Sequence, residues 1–207
     1  MTDENNPIDR DEKTLWNQKY REKSHGSLEP DPLLVSAFQE FLIDREPGTA
    51  LDVAGGVGRH SIWLAQRGWR ATLLDISEVG IGKAHENVRE QLGASGKGAL
   101  VTTEIIDLNS TKELGREAYD LVLVFFYLQR ELFPALISAL KPGGLLVYKT
   151  YTTEQTRFAG GAGKRGPSHP MFLLEPNELL RAFASLRVLH YHETIAGKGV
   201  AELVARR

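Results

Sequence analysis

The chain contains no cysteine among its 207 residues. That excludes disulfides, thiolate zinc sites and any mechanism built on a cysteine nucleophile, and it leaves the redox compartment open. Long hydrophobic runs are also missing: the longest apolar stretch, residues 121–128, is far too short to span a bilayer. No charge of one sign dominates, because 25 Lys and Arg face 27 Asp and Glu for a net charge of −2. No global field therefore draws the molecule to nucleic acid or to an acidic membrane, and no basic, aromatic-interleaved surface is visible. The opening residues 1–12 are polar and acidic without an apolar core segment. They are expected to form a disordered tail and not a secretory signal. With 42% hydrophobic and 25% charged residues, the remainder, 13–207, is expected to be one soluble cytoplasmic domain with a helical cap over about 13–46.

What is present is an alternation of two periodicities. Residues 13–22 carry Leu15, Trp16 and Tyr20 on one helical face. Asp31-Pro32 reads as an N-cap followed by proline at the first helical position, and the helix it opens is stopped by Pro47-Gly48. Strands are then predicted at 49–53, 70–74, 100–106, 121–126 and 145–151, with helices at 59–67, 77–92 and 131–140 between them. The run at 121–126 is continuously apolar, as in a central strand covered on both faces. Lys141-Pro142-Gly143-Gly144 reads as the turn into the strand that follows. Segment 152–176 is a Gly- and Pro-rich loop, a candidate lid, that includes Arg157, Lys164 and Arg165. A short helix near 177–183 precedes a hairpin of 187–193 and 200–205 around Gly197-Lys198-Gly199. The pattern specifies an α/β fold, a parallel sheet with helices on both sides.

Ligands of such sheets sit beyond the carboxyl ends of the strands. The first strand ends in Asp52 and turns through Ala54, Gly55, Gly56 and Gly58, small residues that let a ligand approach the backbone. Unpaired N–H groups at the following helix start add to the site. The second strand is followed by Asp75 and Ile76, the third by Asp107 and Leu108, and the fourth ends at Phe125, Phe126 and Tyr127. A carboxylate at Asp75 can accept from two ribose hydroxyls, and Asp107 can accept from an adenine amino group. Gly56-Val57-Gly58-Arg59-His60-Ser61 also approximates the dinucleotide pattern G-x-G-x-x-G. Three features weigh against a nicotinamide cofactor. Asp52 lies where it can meet a cationic amino group, little chain remains for a substrate domain, and no tyrosine is followed four residues later by lysine.

The segments ALDVAGGVGRHSIWLAQRGWRATLLDIS, EIIDL, YDLVLVFFYLQRELFP and ALKPGGLLVYKTY resemble successive motifs of class I S-adenosylmethionine-dependent methyltransferases. Within them, the chain is most similar to small bacterial enzymes of the tellurite-resistance and thiol methyltransferase type. The resemblance covers about residues 13–207. It implies a Rossmann-like, doubly wound seven-stranded sheet, mostly parallel with an antiparallel last strand. It implies that Asp52, Gly56 and Gly58 line the methionine end of S-adenosylmethionine, that Asp75 holds the ribose and that Asp107 approaches the adenine. Ala54 stands where many members have a glycine, which requires the turn to keep a negative φ there. The resemblance also suggests that the first helix lids the cofactor, with Trp16 and Tyr20 facing its sulfonium.

Each site residue also has a plain structural role available. Asp52 can cap the turn, Asp75 or Ser77 can cap the next helix, and Asp107 suits the turn at Leu108-Asn109-Ser110. His60 can touch the methionine moiety or cap backbone. Phe125 can be core. Tyr127 and Arg130 lie where a methyl group would be presented, and are candidates for acceptor contact as much as for structure. The basic residues of the loop are candidates for attracting an oxyanion. No metal-ligand constellation is evident. The expected activity is methyl transfer to a small-molecule acceptor, such as a thiol or a chalcogen oxyanion, by a monomer or homodimer without nucleic-acid or membrane partners. Covalent cytosine C5 methylation is excluded by the missing cysteine. A nicotinamide-dependent oxidoreductase and a catalytically silent adenosine-nucleotide-binding or interaction protein are the alternatives.

Overall fold

The computed structural model describes residues 11–22, 27–111, 113–158, 166–167 and 169–207. Residues 1–10 of the tail expected over 1–12, and the loop residues Lys164 and Arg165, lie outside them. Seven strands form one sheet: β1 (Thr49–Val53), β2 (Arg70–Asp75), β3 (Val101–Ile105), β4 (Tyr119–Phe125), β5 (Leu140–Tyr151), β6 (Arg187–Thr194) and β7 (Val200–Arg206). Their spatial order is β3-β2-β1-β4-β5-β7-β6. β1 to β5 run parallel, and β7 inserts antiparallel between β5 and β6. The chain winds outward from β1 through β2 to β3, then returns to β4 on the other side of β1. That reversal makes β1/β4 the topological switch point, where a crevice opens at the carboxyl ends.

Among the described residues six α-helices cover the sheet: α1 (Glu12–Arg21), α2 (Pro32–Phe41), α3 (Arg59–Gln66), α4 (Glu78–Leu92), α5 (Phe133–Ala139) and α6 (Glu178–Ala182). Alternation along β4 divides the core. Leu121, Leu123 and Phe125 pack with Leu34, Phe38 and Leu64 of α2 and α3, whereas Val122 and Val124 pack with Leu136 of α5 and Leu179 of α6. Both faces of β4 are thus buried, as its continuous apolar sequence predicts. Each fully buried leucine there contributes about 1.5–3 kcal/mol relative to exposure. Asp31 caps α2 by accepting from the Leu33 N–H at 3.0 Å, with proline in the first turn. Asp11 caps α1 through the Thr14 N–H at 3.2 Å, so Asp11 and Glu12, from the segment expected as a tail, belong to this helix and its cap.

One turn assigned from sequence is not a turn. Lys141-Pro142-Gly143-Gly144 lies inside β5, which already pairs with Tyr119 through Leu140. The register shifts between Tyr119 and Leu121, Gly143 takes φ +79°, and a Cβ on Gly144 would stand 3.0 Å from the Tyr119 carbonyl oxygen. The Gly-Pro signal therefore encodes an irregularity within a strand that stays in the sheet. The expected helix over 131–140 is shortened, starting as a 3-10 turn (Arg130–Leu132) before Pro134 opens the α-helix. The described parts of the long C-terminal loop are tied to β5: the Thr153 N–H donates to the Leu174 carbonyl and the Leu174 N–H to the Tyr151 carbonyl, both at 2.9 Å. Among the described residues, no helix is long and apolar enough to cross a membrane.

Candidate cofactor and methyl-transfer site

The glycine loop leaves β1 through three left-handed residues, Ala54 (φ +55°), Gly56 (φ +59°) and Gly58 (φ +83°). The requirement of a negative φ at Ala54 is thereby corrected: alanine occupies the left-handed conformation itself, a placement usually reserved for glycine. Beneath the loop lies Asp52, only 1% exposed. Its Oδ2 accepts from the Ser61 Oγ at 2.8 Å, and its Oδ1 is 3.7 Å from the His60 Nδ1. A Cβ on Gly55 would sit 2.8 Å from the Asp52 Cγ, so a side chain there is excluded by the carboxylate folded under it. His60 accepts from the Asp31 N–H through Nε2 at 3.3 Å and packs on Phe125 with ring centroids 4.2 Å apart. Asp52, Ser61, His60 and Phe125 thus brace the loop from below and tie it to the start of α2.

Asp75, at the end of β2, is buried beside the same loop. Its Oδ2 accepts from the Gly56 N–H at 2.9 Å and its Oδ1 from the Ser77 N–H at 2.8 Å. Burial pushes its pKa up to about 6; the two N–H donors oppose that shift and the Asp52 charge adds to it. Ser77 caps α4 through the Gly80 N–H at 2.9 Å, so helix capping is not left to Asp75. Above them sits α1. Asn17, a residue the sequence reading passed over, accepts from the Ser77 Oγ at 2.7 Å and the Val79 N–H at 3.1 Å. Lys83 donates to the Tyr20 carbonyl, further fixing the helix to α4. Tyr20 is buried against the loop: a Cβ on Gly56 would stand 2.4 Å from its hydroxyl, and one on Gly80 2.8 Å from its ring. Both glycines are therefore required by the tyrosine. Trp16 is its neighbour on the same face, with centroids 5.9 Å apart.

Beyond Asp75, a cleft of about 460 Å³ opens between the ends of β2 and β3, lined by Ile76, Ile105, Asp107 and Asn109 and roofed by residues 11–13. Ile105 is 51% exposed, and its signal in sequence was only an apolar residue at the end of an edge strand. Asp107 accepts from the Asn109 N–H at 2.9 Å, an Asx turn, while remaining exposed to the cleft. Leu108, in contrast, is buried in the core.

The end of β4 separates its residues. Phe125 points into the core, whereas Phe126 is 37% exposed. The Tyr127 hydroxyl donates to the Gln129 Oε1 at 2.5 Å, and burial pushes its pKa well up, with smaller contributions from Glu12, Asp107 and Asp75. Tyr127 is therefore a protonated hydrogen-bond donor at neutral pH. The Arg130 guanidinium holds Glu178 through two bonds of 2.6 and 2.9 Å and the carbonyls of Met171 and Leu173 at 3.1 and 2.9 Å. It fastens the C-terminal loop to the start of α6. Sequence reasoning also missed Lys149 of β5, which is buried and pairs with Asp31 at 2.8 Å and Glu202 at 2.9 Å. Among the described residues no group of His, Asp and Glu could hold a metal ion.

A doubly wound sheet with a glycine loop at its switch point and an acid after each of the next two strands is a Rossmann-like cofactor-binding fold. A family model described as a methyltransferase domain matches residues 28–192, and the chain belongs to that family. It is an S-adenosylmethionine-dependent methyltransferase, and the nicotinamide reading falls with that assignment. No curated protein matches the sequence significantly. Among solved structures the chain is similar to TehB from Haemophilus influenzae (18% identity, 92% of this chain and 67% of that one, TM-score 0.66). It is also similar to an S-adenosylmethionine-dependent methyltransferase from Mesorhizobium loti (20% identity, 87% and 100% covered, TM-score 0.65). A third is the geranyl diphosphate C-methyltransferase from Streptomyces coelicolor A3(2), crystallised with Mg2+, geranyl diphosphate and S-adenosyl-L-homocysteine (17% identity, 98% of each chain, TM-score 0.64). At these identities the likeness establishes the fold.

Proposed function

We propose that the chain transfers the methyl group of S-adenosylmethionine to a small-molecule acceptor approaching the carboxyl ends of β4 and β5. The observation that carries this reading is the carboxylate of Asp75, buried at the end of β2 and bonded to the Gly56 N–H, next to a cleft whose far wall holds Asp107. Each Asp75 oxygen retains a lone pair beyond its backbone donor, which suits two ribose hydroxyls. Ile76 and Ile105 give an adenine ring apolar walls, and Asp107 supplies an acceptor for its amino group. The glycine loop would hold the methionine portion along its backbone, with Tyr20, packed on Gly56, excluding water from that end.

The bound cofactor supplies an activated methyl on a sulfonium, so the chain's own task is alignment and water exclusion. Orientation of this kind is worth about 7–11 kcal/mol where geometry is good. Tyr127 lies partly buried beside the strand end, and an acceptor that displaces its bond to Gln129 could take the single O–H proton of the phenol. The net charge of −2 and the likeness to a geranyl diphosphate C-methyltransferase favour a small acceptor over nucleic acid.

Titration calorimetry with S-adenosylhomocysteine tests the reading. Binding at micromolar concentration is expected, weakened at least about tenfold in Asp75→Ala, since hydrogen bonds to a charged group are worth about 1.5–3 kcal/mol. Because the ionised carboxylate is the better acceptor, affinity should fall as pH drops through about 6, where Asp75 gains its proton. No binding at millimolar ligand, or Asp75→Ala binding like the parent, would contradict it.

A further inference from the structure

Phe126 is the first residue beyond β4 and one of four described non-glycine residues at positive φ, here +58°. A bulky aromatic side chain in the left-handed region is held there by its surroundings, and such strain collects at functional positions. Here the backbone is fixed by a 2.7 Å bond from the Phe126 N–H to the Lys149 carbonyl, made across the β4–β5 pair where Phe125 faces Lys149. Its consequence is that Phe125 goes into the core while the next ring is turned out, 37% exposed, against Tyr151 with centroids 5.0 Å apart and planes at 42°. Tyr151 in turn leaves room for nothing but a glycine at 166, where a Cβ would stand 2.7 Å from its ring. Two aromatic rings from adjacent parallel strands therefore form a platform at the carboxyl edge, one residue from Tyr127.

The charges around the platform select what can lie on it. Lys149, whose ammonium is 5.9 Å from the Phe126 ring, is matched by both Asp31 and Glu202, so that group of three carries a net negative charge. Arg130 is held by Glu178 and Arg157 by Glu154. Among the described residues, Lys149 and Arg130 are thus paired with carboxylates, while the exposed Phe126 ring beside Tyr151 offers stacking and edge contacts to an uncharged aromatic ring.

We infer that the Phe126–Tyr151 pair is the acceptor platform and that the methyl acceptor is an uncharged molecule carrying its nucleophile on a flat aromatic ring. The inference rests on the methyltransferase reading above and narrows its substrate class. A lone pair of the ring-borne sulfur, oxygen or nitrogen forms the bond to the methyl carbon as the carbon–sulfur bond of the donor breaks. The electron pair of that bond stays on sulfur, which becomes a neutral thioether, and the acceptor's proton leaves to solvent.

The test uses the full chain in two stages. Calorimetry with S-adenosylhomocysteine first establishes cofactor binding, and its failure would overturn the methyltransferase reading together with this inference. Transfer of labelled methyl from S-adenosylmethionine is then measured to 2-naphthalenethiol, 2-naphthol and 2-naphthylamine, and to tellurite and selenite. The aryl acceptors are expected to be methylated in preference to the oxyanions. Phe126→Asn, chosen because asparagine accepts positive φ, should raise the aryl KM about tenfold with cofactor affinity within about twofold of the parent, and Phe126→Tyr should restore it. Cofactor binding without aryl methylation, faster transfer to tellurite or selenite, or an unchanged aryl KM in Phe126→Asn would each overturn the inference.

Discussion

Ala54 shows how much one residue's conformation says about this loop. It keeps a methyl group at φ +55°, packed against the larger core cluster. The left-handed conformation costs an alanine about 1–2 kcal/mol, while glycine would lose about 0.5–1 kcal/mol in backbone entropy and about 0.8 kcal/mol of methyl burial. These terms nearly cancel, so Ala54→Gly should change unfolding free energy by less than about 1 kcal/mol. Ala54→Val adds a β-branched side chain at positive φ and should cost about 2 kcal/mol or more. Urea denaturation of the pair checks this, and equal stabilities would mean the loop does not hold the left-handed turn. The residue scale is also where sequence reading was least complete. Asp75 stands out in the sequence as a carboxylate ending the second strand beside a separate cap at Ser77, and the structure buries it against the Gly56 N–H. Asp52 stands at an equally prominent position, yet its partner is Ser61, brought under the loop only by the turn at Gly55. Spacing places Trp16 and Tyr20 on one face but says nothing of Tyr20 meeting Gly56.

At the scale of elements, Lys149 joins β5 to the cap of α2 and to β7. Through Asp31, whose N–H reaches His60, it also connects to the brace under the glycine loop. Removing one member of a buried ionic group costs about 3–5 kcal/mol because the remaining charges lose their partner. Lys149→Met should therefore lower stability by about 3 kcal/mol. Adding Asp31→Asn should recover part of the loss, since asparagine still caps α2 while shedding the charge. A double variant no more stable than Lys149→Met would refute the ionic account. Strand positions could be read from the sequence because buried parallel strands need continuous apolar runs. The irregularity at Gly143-Gly144 could not, since proline and glycine signal a turn locally and only pairing with Tyr119 keeps the chain in the sheet. Arg130 and Glu178 lie 48 residues apart, so their pairing has no local signature either.

For the whole molecule, the strand order β3-β2-β1-β4-β5-β7-β6 brings the acids at the ends of β2 and β3 to one side of the switch point and the aromatic residues at the ends of β4 and β5 to the other. Under the proposed function, cofactor and acceptor would have separate walls, with the methyl group passing between them at the crevice over β1 and β4. The most direct test of this arrangement is a crystal structure with S-adenosylhomocysteine bound. The account predicts ribose hydroxyls within hydrogen-bonding distance of both Asp75 oxygens, adenine between Ile76 and Ile105 with its amino group toward Asp107, and the ligand sulfur facing Tyr127. Ligand density with the ribose away from Asp75, or with adenine outside the cleft between β2 and β3, would contradict it.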